Sequence, residues 1–132
     1  MKYFFYVSFN WAMIWLCLWI TQRNIFFFPV AFFVISNRQF ANYLVGHEGL
    51  HGLIIKNPQI NDFVTRIFCL GPVFVSLQSY REKHLMHHEL LGSFADPDKR
   101  LYDFYPVKMG DFAKKMLIHF FSFKMLRDFL IY

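Results

Sequence analysis

Two apolar segments near the start of the chain predict membrane-spanning helices. Residues 3–20 contain no charged side chain, and as an α-helix they would be about 27 Å long, close to the hydrocarbon thickness of a bilayer. A second apolar run begins at Ile25, and its helix is long enough to span only if it continues to Gly46. Arg38 then lies in or near the membrane boundary. The pattern predicts a hairpin of two spans, over residues 3–20 and 25–46.

A cleaved signal peptide is the alternative interpretation of the first segment. No small-residue cleavage site follows that segment, and its tryptophans are bulky for this role. Basic residues orient the hairpin, because lysine and arginine are enriched in cytoplasmic loops. Lys2 precedes the first helix, Arg23 lies in the turn, and most other basic residues follow residue 55. The N-terminus and the chain after the second helix are therefore expected to face the cytoplasm.

Residues 47–132 are predicted to be cytoplasmic and interfacial. Residues 60–80 are apolar, but the Gly71-Pro72 pair breaks or kinks a helix, which favours a re-entrant or interfacial segment over a third span. A polar loop is predicted over residues 91–106. From Asp111 onward, basic residues on an aromatic background predict a helix on the membrane surface. The predicted fold class is an all-α membrane protein, with the hairpin followed by cytoplasmic and interfacial helices.

The composition agrees with a lipid environment. Hydrophobic residues make up 56% of the 132 residues and 19 are Phe, which is more apolar surface than so small a domain can bury. The net charge of +5 is scattered rather than gathered into a basic face, so membrane lipids are expected as partners and nucleic acid is not. Cys17 and Cys69 lie in apolar runs and are expected to be buried free thiols.

Five of the six histidines fall in two groups with helical spacing. On a helix, each group projects from one face and presents its imidazoles to one point. Imidazole suits iron, zinc or copper. Packing alone is a poor explanation, because each buried imidazole needs its own hydrogen-bond partner. The predicted metal ligands are His47 and His51 in the first group, and His84, His87 and His88 in the second.

The first group also matches a zinc-protease signature. In "GHEGLHG", residues 46–52, the two histidines would bind zinc and Glu48 would act as the general base. That enzyme has no use for three further histidines, and Gly49 is a poor residue inside a ligand-bearing helix. The surplus of ligands argues for two metals. A bis-histidine haem carrier or a metal transporter would need histidines on facing transmembrane helices, whereas these are expected at or beyond the membrane face.

The motifs resemble those of the membrane fatty acid desaturase family. The resemblance lies in "RQFANYLVGHEGLHGLI", "NPQINDFV" and "YREKHLMHHELLGSFADPD", whose histidine boxes H-x-x-x-H and H-x-x-H-H have the family's type, order and spacing. It covers residues 38–102 by motif and the hairpin by topology. The resemblance implies a non-haem di-iron oxidoreductase with two iron ions. Such an enzyme introduces a double bond into a lipid acyl chain, using O2 and electrons from a donor such as ferredoxin or cytochrome b5.

By the same resemblance, the five histidines named above are the metal ligands. Ligand imidazoles need acceptors for their other ring N–H, and the candidate acceptors are Glu48, Asp96 and Asp98. For Asp96 and Asp98, turn formation is an equally good explanation, and no carboxylate is expected to be catalytic. Arg81 is expected to be solvated or to lie at the membrane surface, and Tyr80 is expected to be a packing residue.

The sequence departs from the family in one respect. Family members carry a third box, usually H-x-x-H-H, after a further pair of membrane helices, and the 132 residues contain no such box. His119 is isolated and is expected to be structural or interfacial. The chain is therefore expected to be a single partial desaturase-like domain over residues 1–132, inactive alone. Lipid or carotenoid hydroxylases and ketolases share the same boxes and remain alternatives.

Overall fold

The computed structural model describes residues 2–121, with side chains as far as residue 118. Every regular element in this described part of the chain is helical, which confirms the predicted all-α class. The chain divides into two compact units, Met1–Glu82 and Lys83–Tyr132. The division falls inside one unbroken helix, so the backbone passes from one unit to the other without a loop.

The first unit begins with a hairpin of two long helices. Helix α1 covers Lys2–Arg23 and helix α2 covers Phe28–Leu50, joined by a 3₁₀ turn over Ile25–Phe27. The Asn24 side chain caps this turn by accepting a hydrogen bond from the backbone N–H of Phe26 at 3.1 Å. Helix α2 extends four residues beyond the predicted boundary at residue 46, so it carries the start of the first histidine motif inside its last turn.

Helix α1 is long and apolar enough to cross a membrane. Among the described residues, α2 does not reach the same hydropathy, because polar side chains such as Arg38 and Gln39 interrupt its apolar sequence. The segments Pro58–Val73 and Leu77–Leu90 reach that hydropathy when taken together, but they are bent by 95° at the break between them. The second span over residues 25–46 therefore stays a prediction.

The chain then folds back along α2 as a series of short helical segments. Helix α3 covers Pro58–Val64 and runs directly into a π-helical turn over Thr65–Leu70 and a 3₁₀ turn over Gly71–Val73. The predicted break at Gly71-Pro72 is thus observed. Phe74 has a φ of 58°, a left-handed conformation that turns the chain into helix α4, Leu77–Leu90.

The core of the first unit lies where these short segments pack on α2. Its buried side chains are Val7, Leu50, Ile54, Val64, Cys69, Leu70 and Leu77. Outside this core the hairpin is covered by exposed aromatic residues, including Phe26 at 89% and Phe33 at 77% exposure. Such a surface suits lipid rather than water. Cys17 and Cys69 are buried free thiols, as predicted.

One polar contact joins the two helices of the hairpin. Asn10 of α1 donates its side-chain N–H to Asn42 Oδ1 of α2 at 2.9 Å, and both residues are buried. Arg38 donates to Asn10 Oδ1 at 3.3 Å. These bonds satisfy most of the buried amide groups, although Asn42 Nδ2 has no hydrogen-bond partner among the described residues.

The second unit contains the rest of α4 and two further helices. The predicted loop over residues 91–106 includes a short helix, α5, over Lys99–Tyr102. Helix α6, Met109–Phe121, begins two residues before the predicted start at Asp111 and carries both lysines and apolar side chains. The predicted remainder of that helix, residues 122–132, lies outside the described residues.

Candidate metal centre

The first histidine motif lies at the C-terminal end of α2. His47 is in the last turn of the helix, and His51 follows the last helical residue as its C-cap. Their ring centroids are 5.4 Å apart, as expected for side chains separated by one helical turn. Gly52 then takes a φ of +75°, which turns the chain away directly after the second histidine.

Glycines allow the rest of the unit to pack tightly against this end of α2. A Cβ atom at Gly49 would lie 2.6 Å from Thr65 Cγ2, and one at Gly46 would lie 2.7 Å from Leu70 Cδ2. The low helix propensity of glycine is therefore offset by close contact with the π-helical turn. This close packing fixes the backbone that carries His47 and His51.

The second histidine motif lies on α4. His84 is buried, and its Nε2 is 2.9 Å from Nε2 of His88, one turn later. Their rings meet edge to face with centroids 4.4 Å apart. His87 projects from a neighbouring position on the same helix, with its ring centroid 6.4 Å from that of His84. The helix therefore presents two imidazoles together and a third beside them.

Within each motif, two imidazoles lie close enough together to share a metal ion. The ring centroids of His47 and His51 are 5.4 Å apart, and Nε2 of His84 lies 2.9 Å from Nε2 of His88. Nitrogens bound to one metal at about 2.1 Å lie about 3–4 Å apart. Imidazole ligands suit iron, zinc or copper rather than magnesium or calcium. Each motif therefore offers a pair of ligands that fits a transition metal.

His87 lies beside the His84–His88 pair and contacts a carboxylate. Its Nδ1 is 2.8 Å from Asp96 Oδ1 and 4.0 Å from Asp98 Oδ2. When Nδ1 donates to a carboxylate, Nε2 carries the lone pair and is available to a metal. The structure thus brings His87 together with two of the predicted acceptors, and it leaves the role of His87 as a ligand a prediction.

Asp96 is the centre of a hydrogen-bond network. Its carboxylate accepts from the Tyr102 hydroxyl, from His87, and from the backbone N–H groups of Gly92 and Asp98. Burial raises the pKa of Asp96, but these hydrogen bonds outweigh it and hold the pKa well below the usual range. The carboxylate is therefore ionised and acts as an acceptor. The sequence analysis did not identify Tyr102, which is six residues away and carries no metal-site signature.

Glu48 makes a similar contact in the first motif. Its Oε1 lies 3.2 Å from His47 Nδ1. This hydrogen bond lowers the pKa of Glu48, although burial acts in the opposite direction. Glu48 thus lies beside a predicted ligand as an ionised acceptor.

Arg81 makes contacts that the sequence did not predict. Its guanidinium forms an ion pair with Asp62 and hydrogen bonds to the backbone carbonyls of Gly49 and Leu50. Nothing in a lone arginine beside a histidine motif indicated these partners. The expected place of Arg81 at a membrane surface stays a prediction. Tyr80 packs as predicted, with its ring stacked on that of Tyr43 at a centroid distance of 5.6 Å.

In residues 2–121, regular structure that is helical throughout, an apolar hairpin and two histidine motifs together define the class of helical membrane proteins with a candidate metal site. Residues 9–132 match the family model described as fatty acid desaturase, and the chain belongs to the membrane-bound fatty acid desaturase family. A curated relative, the omega-3 fatty acid desaturase fat-1 of Caenorhabditis elegans, is 37% identical over 49 residues. That match spans 37% of this chain and 12% of the relative. No solved structure matches the chain.

Proposed function

We propose that the chain is part of a membrane-bound, non-haem di-iron enzyme that introduces a double bond into a lipid acyl chain. The enzyme uses O2 and receives electrons from a donor such as ferredoxin or cytochrome b5. Family membership supports this type of reaction. The observation that carries the proposal is that each of the two histidine motifs holds two imidazoles close together.

In this proposal all five histidines of the two motifs hold the two iron ions. The His47–His51 pair and the His84–His88 pair supply most of the ligands, and His87 contributes its Nε2 while Asp96 accepts from Nδ1. Bound iron supplies the activation of O2 needed to remove hydrogen from an unreactive methylene group. Glu48 and Asp96 orient imidazoles through hydrogen bonds, and Asp98 lies near enough to His87 to add to its charge environment.

The membrane arrangement follows from the hairpin. Residues 3–20 and 25–46 span the bilayer, and the N-terminus and both histidine motifs face the cytoplasm. The exposed aromatic surface of α1 and α2 supports their contact with lipid. The distribution of basic residues supports the orientation. An acyl chain within the bilayer is thereby held next to the motif at the end of α2.

The metal content of the chain tests this proposal. The chain is purified in detergent micelles, loaded anaerobically with Fe(II), and freed of loosely bound metal by gel filtration. The expected result is up to two irons per chain, bound in preference to one zinc. A chain that retains one zinc and loses a peptidase activity on Glu48→Gln would instead identify a metalloprotease.

The reaction is tested separately in membranes that contain the whole enzyme of which this chain is proposed to be part. These membranes receive an acyl lipid, O2 and a reduced electron donor, and the acyl products are separated by mass spectrometry. Loss of two hydrogens from the acyl chain is the expected change. A gain of one oxygen would identify a hydroxylase and contradict the proposed reaction, while leaving the metal centre intact.

A further inference from the structure

The backbone carbonyls between the two histidines of the first motif are bound by side chains from two other segments. Gly49 O accepts from Asn61 Nδ2 at 2.9 Å and from an Arg81 guanidinium nitrogen at 3.4 Å. Leu50 O accepts from Arg81 Nε at 3.1 Å. The last carbonyls of a helix have no partner within the helix. Here they are satisfied by a residue of α3 and a residue of α4.

Arg81 is itself held in place by α3. Its two terminal nitrogens contact the two oxygens of Asp62, at 2.9 and 2.6 Å. Such a paired contact fixes the plane of the guanidinium as well as its position, which a lysine ammonium does not do. Asn61 completes the arrangement, because its Oδ1 accepts from the backbone N–H of Ile54 at 3.1 Å.

The strength of this contact lies in its geometry rather than in charge attraction alone. The Arg81 and Asp62 side chains are 29% and 38% exposed and border a cleft of about 320 Å³. Ion pairs open to solvent contribute little net stability. The guanidinium, however, binds the carboxylate and two helix-end carbonyls at once. Replacing it with a group of a different shape would therefore alter the position of one helix against another.

We propose that Arg81, held by Asp62 and Asn61, is a positioning residue for the metal centre. This inference rests on the proposed function, because it requires the histidine motifs to bind metal. The carbonyls that Arg81 contacts belong to the two residues that precede His51, and Arg81 lies three residues before His84 on α4. Arg81 therefore fixes the backbone from which the His51 imidazole projects.

Cobalt(II) titration tests the proposal without turnover. The visible absorption of bound cobalt reports both affinity and ligand geometry, so it separates positioning from general stability. We expect Arg81→Lys, which keeps the charge and loses the fork of donors, to weaken cobalt binding at least tenfold, in the range of about 10–100-fold seen for groups that support metal ligands. The intensity of the visible band should also change.

Arg66→Lys is the matched control. Arg66 is exposed and borders the same cleft, so the same chemical change there should leave cobalt affinity and spectrum at their wild-type values. Asp62→Asn is a second variant, because it keeps the contacts of Arg81 to the carbonyls and weakens only its support. We expect cobalt affinity to fall by a smaller factor, about threefold. The hydrogen bonds between residue 62 and Arg81 then lack the carboxylate charge that strengthens them.

The possible results separate the two proposals. If the wild-type chain binds no cobalt, the proposed metal centre is wrong. If it binds cobalt and Arg81→Lys lowers only the unfolding temperature, with affinity and spectrum unchanged, Arg81 is structural and the inference is overturned. Should Arg81→Lys fail to fold, Asp62→Asn decides the matter by the same two readouts.

Discussion

The two histidine motifs are held in place by different means. The first lies at a helix end whose backbone packs closely on neighbouring side chains at Gly46 and Gly49, and this packing fixes the position of its two histidines. The second lies on a polar helix where His87 is oriented by a hydrogen-bonded carboxylate, Asp96. The first motif should therefore be sensitive to added volume, and the second to the loss of polar groups.

The largest effect is expected from the loss of a predicted metal ligand. Substitution of His84 by Ala removes a buried imidazole of the second motif, so we expect loss of at least one metal equivalent per chain. The measurement is the metal content of the purified protein by atomic emission. His119→Ala, which changes the histidine outside both motifs, should keep the wild-type content. Retention of full metal content by His84→Ala would contradict the proposed role of His84 as a ligand.

The volume sensitivity of the first motif is tested by Gly49→Ala. The added methyl group meets the stiff, β-branched side chain of Thr65, so we expect a loss of about 1–3 kcal/mol in the free energy of unfolding. Gly46→Ala should cost less, because its nearest neighbour is the flexible end of Leu70. Denaturant unfolding followed by circular dichroism gives both values.

Gly110→Ala is the control for that series. A Cβ atom at Gly110 meets nothing within 4 Å, and alanine favours a helix over glycine, so this change should not destabilise the protein. Equal stability of Gly49→Ala and Gly110→Ala would show that close packing does not fix the first motif.

The polar support of the second motif is tested by Asp96→Asn. The amide keeps the shape and loses the charge that strengthens the hydrogen bond from His87, and we expect metal affinity to fall about tenfold. Tyr102→Phe removes one bond to the same carboxylate and should have a smaller effect. Asp103→Asn is the control, because this exposed carboxylate pairs only weakly with Lys99, at 3.9 Å. Isothermal titration with cobalt(II) measures all three variants.

The smallest expected effect is on the pH dependence of folding. The hydrogen bonds from Arg81 lower the pKa of Asp62, although burial acts in the opposite direction. A carboxyl with a lowered pKa in the folded state stabilises the protein above its unfolded pKa and loses that stabilisation as the pH falls through the folded value. Below about pH 4, the unfolding free energy of the wild type should therefore fall more steeply than that of Asp62→Asn. Identical pH profiles would show that the ion pair contributes nothing to stability.

The sequence predicted those features that depend on local patterns. Uninterrupted apolar residues placed α1, helical spacing grouped the histidines, and Gly71-Pro72 marked a break that the structure shows. It also identified Glu48, Asp96 and Asp98 as neighbours of histidines. Glu48 lies within the first motif, and Asp96 and Asp98 lie in the polar loop that follows the second motif. Such features need only the covalent chain and its helical period.

Features that depend on tertiary contact were not predicted. Arg81 and Asp62 are 19 residues apart, with no periodicity that connects them, and their contact depends on the 95° bend between the segments that carry them. The close packing of Gly46 on Leu70 and of Gly49 on Thr65 joins positions that no local pattern connects. The contact of His87 with Asp96 likewise reaches beyond the end of α4.

In the proposed arrangement of two membrane spans, the buried contact between Asn10 and Asn42 has a consequence for how the hairpin enters the bilayer. A lone asparagine within a hydrocarbon-embedded helix leaves its amide groups unsatisfied, and a partner on the neighbouring helix relieves that cost. The two helices are thus favoured to integrate as a pair, and only one sliding position along their axes brings the amides together. That position sets the depth of His47 relative to the membrane surface before any metal is bound.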